Sequence, residues 1–205
     1  MKVSFFGKKS DAFLCTLRKV DLMTNRQSSS LIVRKLVYSA ICLALALVLP
    51  FLTGQIPEIG GMLCPMHIPV LLCGFLCGWP WGLAVGAISP LLRSICFGMP
   101  PLFPTAVSMA FELAAYGALS GLLYKKLPKN AVGLYASLIL SMLGGRLVWG
   151  AVQFVLTGIS GSSFPFSAFL AGAVLNALPG IVLHILLIPV LVFSLRKAHL
   201  SLNEE

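Results

Sequence analysis

Between Lys35 and Arg196 the chain carries only seven charged residues, and three of them crowd into one segment, KKLPK at 125–129. The rest of that stretch is apolar runs broken by Gly, Pro and short polar turns. A chain built this way has little choice of solvent. Hydrocarbon cannot hydrogen-bond a peptide group, so long apolar runs satisfy their backbone internally, as helices. With 58% hydrophobic residues, 10% charged residues and a mean hydropathy of +0.96, the sequence predicts an all-α integral membrane protein with one membrane domain.

A helix needs about 20 apolar residues to cross roughly 30 Å of hydrocarbon. Six runs qualify as spans: 36–53, 65–79, 82–98, 104–124, 131–157 and 166–195. The second and third are short and carry Pro69 and Pro90, and their boundary is the GWPWG turn, where Trp79 and Trp81 sit as interfacial aromatics do.

Fifteen Lys and Arg against six Asp and Glu give a net charge of +9. Eight of the fifteen lie at or before Lys35, three in KKLPK, and two are Arg196 and Lys197. Six spans bring all three groups to one side, which the positive-inside rule makes cytoplasmic, with both termini inside. The loops left outside, TGQIPEIGGMLCPMH, GMPPLFP and GISGSSFPF, hold no Lys or Arg. Residues 1–33 read as a basic cytoplasmic extension, 34–197 as the membrane domain and 198–205 as a cytoplasmic tail. The extension has no signal-peptide apolar core, and Met23 is a second candidate start.

Several function classes are excluded on chemistry. The basic residues form no face with interleaved aromatics, so nucleic acid is not a partner. There is no HExxH, no GxSxG and no aspartate pair, and the three histidines are far apart in sequence, so the chain is not read as an enzyme. No metal or cofactor is expected. Cys73 and Cys77 lie one helical turn apart as packing residues, while Cys64 and Cys96 both fall near the outer face, where a disulfide is open to them. Span-level repeats, the usual mark of a solitary secondary transporter, are absent.

Glu58, Arg93, Glu112 and Arg146 remain once the basic flanks are set aside. At 1.5 Å per residue, Arg93, Glu112 and Arg146 come to similar depth in the outer half of spans 3, 4 and 5. A carboxylate in hydrocarbon costs several kcal/mol unless paired, so Glu112 pairs with Arg93 or Arg146, or faces a ligand. Two arginines against one glutamate leave one cation over, which favours an anionic or carbonyl-rich ligand. Thr105, Ser108, Glu112 and Tyr116 share one face of span 4, and Arg146, Trp149 and Gln153 share one face of span 5. Asn176 is placed near the midplane of span 6. His184 is placed deeper, toward the cytoplasm, as a hydrogen-bonded core histidine. Tyr116 and Trp149 can equally pack or stack on a ligand.

The first span reads LVYSAICLALALVLPF, in which Ala40 and Ala44 form an AxxxA strip suited to close helix approach. With PxHxP at 65–69, GMPPLFPTA at 98–106 and MAFELAAYG at 109–117, residues 31–197 resemble a substrate-binding S component of an energy-coupling-factor (ECF) transporter, in the pantothenate, folate and cobalamin branch. The resemblance implies a plasma-membrane protein of a prokaryote that binds a vitamin-like molecule from outside. It implies docking through Ala40 and Ala44 onto an EcfT-like membrane coupling subunit that carries two cytoplasmic ATPases. It also implies a cap formed by TGQIPEIGGMLCPMH, whose contacts would be Glu58, Met62 and His67, over a site lined by Arg93, Thr105, Ser108, Glu112, Tyr116, Arg146, Trp149, Gln153 and Asn176. A carboxylated vitamin such as pantothenate is favoured; folate, cobalamin or a queuosine precursor are the alternatives. A ligand-sensing membrane protein without transport and a solitary secondary transporter are the readings from other classes.

Overall fold

The computed structural model describes residues 29–52, 63–159, 177–198, 200, 202 and 203. Among them every regular element is helical. The helices are α1 (Ser29–Leu52), α2 (His67–Cys77), α3 (Trp79–Phe97), α4 (Val107–Lys126), α5 (Ala131–Ile159) and α6 (Leu178–Lys197), and a short π-helical segment, Leu102–Ala106, leads into α4. The chain divides into two units, Met1–Val37 and Tyr38–Glu205. In the first, the described residues are the opening turns of α1, with Ile32, Val33, Leu36 and Val37 exposed.

Five of the helices are long and apolar enough to cross a membrane. The expected second span is not among them. It forms only the 11 residues of α2, roughly 16 Å of helix at 1.5 Å per residue. The reason is local. Gly78 adopts φ +95°, which ends α2, and Pro80 at the start of α3 suits a helix N-terminus, where a missing N–H costs nothing. α2 is apolar on every side and accordingly buried: Val70, Leu71, Cys73 and Phe75 have no exposed surface. The sixth expected span begins at 166, but residues 160–176 lie outside those described; α6 starts at Leu178 behind Ala177.

Pairwise contacts set the helix directions. Glu112 beside His67, and Gly117 beside Gly74, show α4 running parallel to α2. Gly82 against Gly117 and Gly86 against Leu113 show α3 antiparallel to α4. Gly144 against Leu119 and Arg146 against Glu112 show α5 antiparallel to α4 as well. The Arg196 Nη1 bond to the Lys129 carbonyl, 2.6 Å, brings the end of α6 to the start of α5. Phe51 on Phe97, with ring centroids 5.0 Å apart, puts the ends of α1 and α3 together. Thus α2, α4 and α6 start at the end where α1 and α3 finish. The Leu202 N–H returns to the Leu76 carbonyl at the opposite end, 2.9 Å away.

The seam between α2, α3 and α4 depends on glycine. A Cβ on Gly82 would come 2.5 Å from the Gly117 carbonyl oxygen, closer than any atom can sit. Without side chains, backbones approach to direct contact, and dispersion replaces the hydrophobic drive that lipid does not supply. One apolar cluster, including Leu71, Phe75, Leu138 and Ile188, fills the space between α2, α4, α5 and α6. Another, including Cys42, Val70, Val85 and Leu113, joins α1 to α2, α3 and α4. The outward faces are apolar too: Leu147, Phe154, Leu186 and Val190 are exposed while Glu112, His67 and His184 are buried. Such an inverted distribution fits a surface solvated by hydrocarbon.

Candidate functional site

The buried His67, Glu112 and His184 converge with Arg146 where α2, α4 and α6 begin. Glu112, two turns into α4, is 2% exposed. Arg146 Nη1 donates to Glu112 Oε1 at 2.9 Å, and His67 Nε2 lies 3.4 Å from the same oxygen. Tyr116 stands one turn further along α4, on the same face, and is 2% exposed. Its ring packs edge-on to His67, centroids 5.0 Å apart. Gly145 makes room for that ring, since a Cβ there would meet Tyr116 carbons at 3.0 Å.

Cys64 organises the other side. It sits at φ +48°, in the left-handed region that a non-glycine residue occupies at a cost, just before Pro65. The turn lets its carbonyl accept from the His67 N–H at 3.0 Å and from the His184 ring, while its Sγ takes Arg146 Nη2 at 3.5 Å. Burial pushes the Cys64 thiol up, and the Arg146 guanidinium opposes that shift. The His67 and His184 rings face each other with centroids 5.9 Å apart.

Among the described residues, three nitrogens of this cluster are buried without a hydrogen-bond partner: His67 Nδ1, Arg146 Nε and His184 Nε2. Buried polar groups are nearly always satisfied, so three orphans on touching residues mark where something else can bond.

Most of the expected site residues fall among those described. His67, Glu112, Tyr116 and Arg146 come together. Ser108 is buried but bonds the Thr105 carbonyl at 2.9 Å, and Thr105 itself is exposed in the segment before α4. Trp149 and Gln153 are half-buried on α5 after Arg146. Glu58, Met62 and Asn176 lie outside the described residues. Arg93 is buried but turned away from Glu112: Nη1 donates to the Leu47 carbonyl at 2.6 Å, and its guanidinium lies 5.0 Å from the Phe51 ring and 5.5 Å from that of Phe97. There it stabilises the C-terminal turn of α1, where the helix dipole favours a cation.

Two members of the cluster are absent from the expected set. His184 lies only seven residues into α6, against His67, rather than deep toward the far end, because α6 begins at Leu178. Cys64 enters through its backbone turn, for which the spacing of PxHxP gives no signal. No disulfide joins Cys64 and Cys96. Among the described residues, no group of three His, Cys, Asp or Glu is placed to hold a metal ion.

The family model of the ECF transporter substrate-specific component matches residues 34–192. The chain belongs to that family. No curated protein and no solved structure matches it. Family membership makes the protein the substrate-specific subunit of a multi-pass membrane transporter, a class that works with a membrane coupling subunit and ATPase subunits. The matched region of this S component takes in every residue of the polar cluster.

Proposed function

We propose that this S component is the high-affinity binding subunit of an ATP-driven importer for a vitamin or related micronutrient, and that the cluster of His67, Glu112, Tyr116, Arg146 and His184 receives the ligand. The observation that carries the reading is the set of three partnerless buried nitrogens on adjoining residues. A purely structural ion pair would leave Arg146 and His67 with no reason to keep open valences. Thr105, Ser108, Trp149, Gln153 and Asn176 would line the approach, and residues 53–67, with Glu58 and Met62, would close over it. Pantothenate is the carboxylated candidate; folate, cobalamin and a queuosine precursor are the others.

The orientation follows from charge. Lys125, Lys126, Lys129, Arg196 and Lys197 gather at the end opposite the cluster, joined by the Arg196–Lys129 bond. With that end cytoplasmic, both termini are inside and the site faces outward. Ala40 and Ala44 are exposed on α1, one turn apart, which supports their use as the strip that docks an EcfT-like coupling subunit. ATP hydrolysis on two partner ATPases would then drive release of the ligand inward.

Uptake in cells that supply the coupling subunits tests the assembly: Ala40→Trp with Ala44→Trp should abolish it while ligand binding to purified protein persists. Unchanged uptake would rule out this docking surface. Uptake that persists without any ATPase would favour a solitary transporter, and binding with no associated subunits a sensor.

A further inference from the structure

The residues of the proposed site also narrow what it takes. We infer that the cluster accepts an uncharged ligand group that offers two hydrogen-bond donors and one acceptor, and that it rejects a carboxylate. This rests on the proposal that the cluster is the binding site.

Charge comes first. Arg146 and Glu112 cancel each other, and the second arginine of the membrane domain, Arg93, is held at the Leu47 carbonyl. No cation is left over in the cluster. Segments 53–62 and 160–176 contain one charged residue between them, Glu58, and no Lys or Arg. A carboxylate at Arg146 Nε would share that one cation with Glu112, which is 2% exposed, and would leave the buried group with net negative charge.

The orphaned nitrogens then fix the pattern. His67 Nε2 faces a carboxylate oxygen, so in the neutral ring that nitrogen carries the proton and Nδ1 presents a lone pair. His184 donates to the Cys64 carbonyl, which leaves Nε2 as a lone pair likewise. Arg146 Nε can only donate. The cluster therefore shows two acceptors and one donor. A carboxylate, which has acceptors alone, meets two lone pairs. An amide, a lactam or a hydroxylated nitrogen heterocycle supplies N–H or O–H groups together with a carbonyl or ring nitrogen, and matches all three.

Matched probe pairs test this on purified full-length protein: panthenol against pantothenate, nicotinamide against nicotinate, and pyridoxine against 4-pyridoxate, each titrated by thermal shift. At least one uncharged member should bind, and its carboxylate partner at least about tenfold more weakly, since one lost pairing of roughly 1.4 kcal/mol is a factor of ten. Glu112→Gln releases the Arg146 charge and should move the preference toward the carboxylate by a similar factor. Should Glu112→Gln not fold, His184→Phe removes one acceptor without changing charge and should weaken the uncharged probe about tenfold. A carboxylate that binds as well as its uncharged partner overturns the inference, as does the absence of a shift with every uncharged probe. The importer reading fails separately. If the coupling and ATPase subunits co-purify and carboxylates win, only the inference is lost; if an uncharged probe wins and no subunits associate, only the importer reading is lost.

Discussion

Arg146 and Glu112, 34 residues apart on antiparallel helices, meet at 2.9 Å with the carboxylate almost wholly buried. The carboxylate has almost no water to fall back on, so it depends on Arg146. Arg146→Ala should leave an uncompensated anion and destabilise the protein by about 3–5 kcal/mol. Glu112→Gln combined with Arg146→Met should cost less than the sum of the two single changes. Melting in detergent by intrinsic fluorescence reads the two single changes, Glu112→Gln and Arg146→Met, beside the double, and additivity would show that the pair is not coupled.

Arg93 is expected to act on stability alone. Arg93→Met keeps the aliphatic stem but removes the guanidinium, with its place beside the Phe51 and Phe97 rings and its bond to the Leu47 carbonyl. A loss of about 1.5–3 kcal/mol follows for a charged hydrogen bond. Ligand affinity, measured once a ligand is in hand, should stay within twofold. A large fall in affinity would return Arg93 to the binding site.

The glycine seam predicts intolerance to one methyl group. Gly82→Ala must push α3 off α4 at the Gly117 carbonyl, at a cost of roughly 1–3 kcal/mol for overpacking. Gly158→Ala, at a position with nothing within 4 Å, is the control and should leave the melting temperature unchanged. Equal behaviour of the two variants would mean the seam is looser than described.

The thiols should react in order of exposure and ionisation. In a Cys15→Ser background, maleimide should label exposed Cys96 first and Cys64 far more slowly; Cys42, Cys73 and Cys77 are buried. The thiolate is the nucleophile, and burial raises the Cys64 thiol, so at pH 8 a smaller fraction of it is ionised than of a free cysteine. Its labelling rate should climb as pH rises beyond the range where ordinary thiols have levelled off. Peptide mass spectrometry of timed reactions would show it, and rapid labelling of Cys64 at pH 7 would contradict it.

Much of this protein was readable from its residue order. The scarcity of charge between Lys35 and Arg196 dictates helices in hydrocarbon, and caps and breakers such as Gly78, Pro80, Lys125 and Lys126 mark several of their ends. The spacing of Glu112 and Tyr116 fixes their common face, and the cost of a buried carboxylate demands a partner. Which partner was a matter for the tertiary structure. Arg93 and Arg146 stand at similar depth by count, and only the closeness and rotation of the helices distinguish them. Those are set by non-local contacts, Gly82 on Gly117 and Gly145 under the Tyr116 ring, that turn Glu112 toward α5 and leave Arg93 to the end of α1. The same contacts bring His184 and Cys64 into the cluster, and leave its charge balanced where residue counting alone left one cation over.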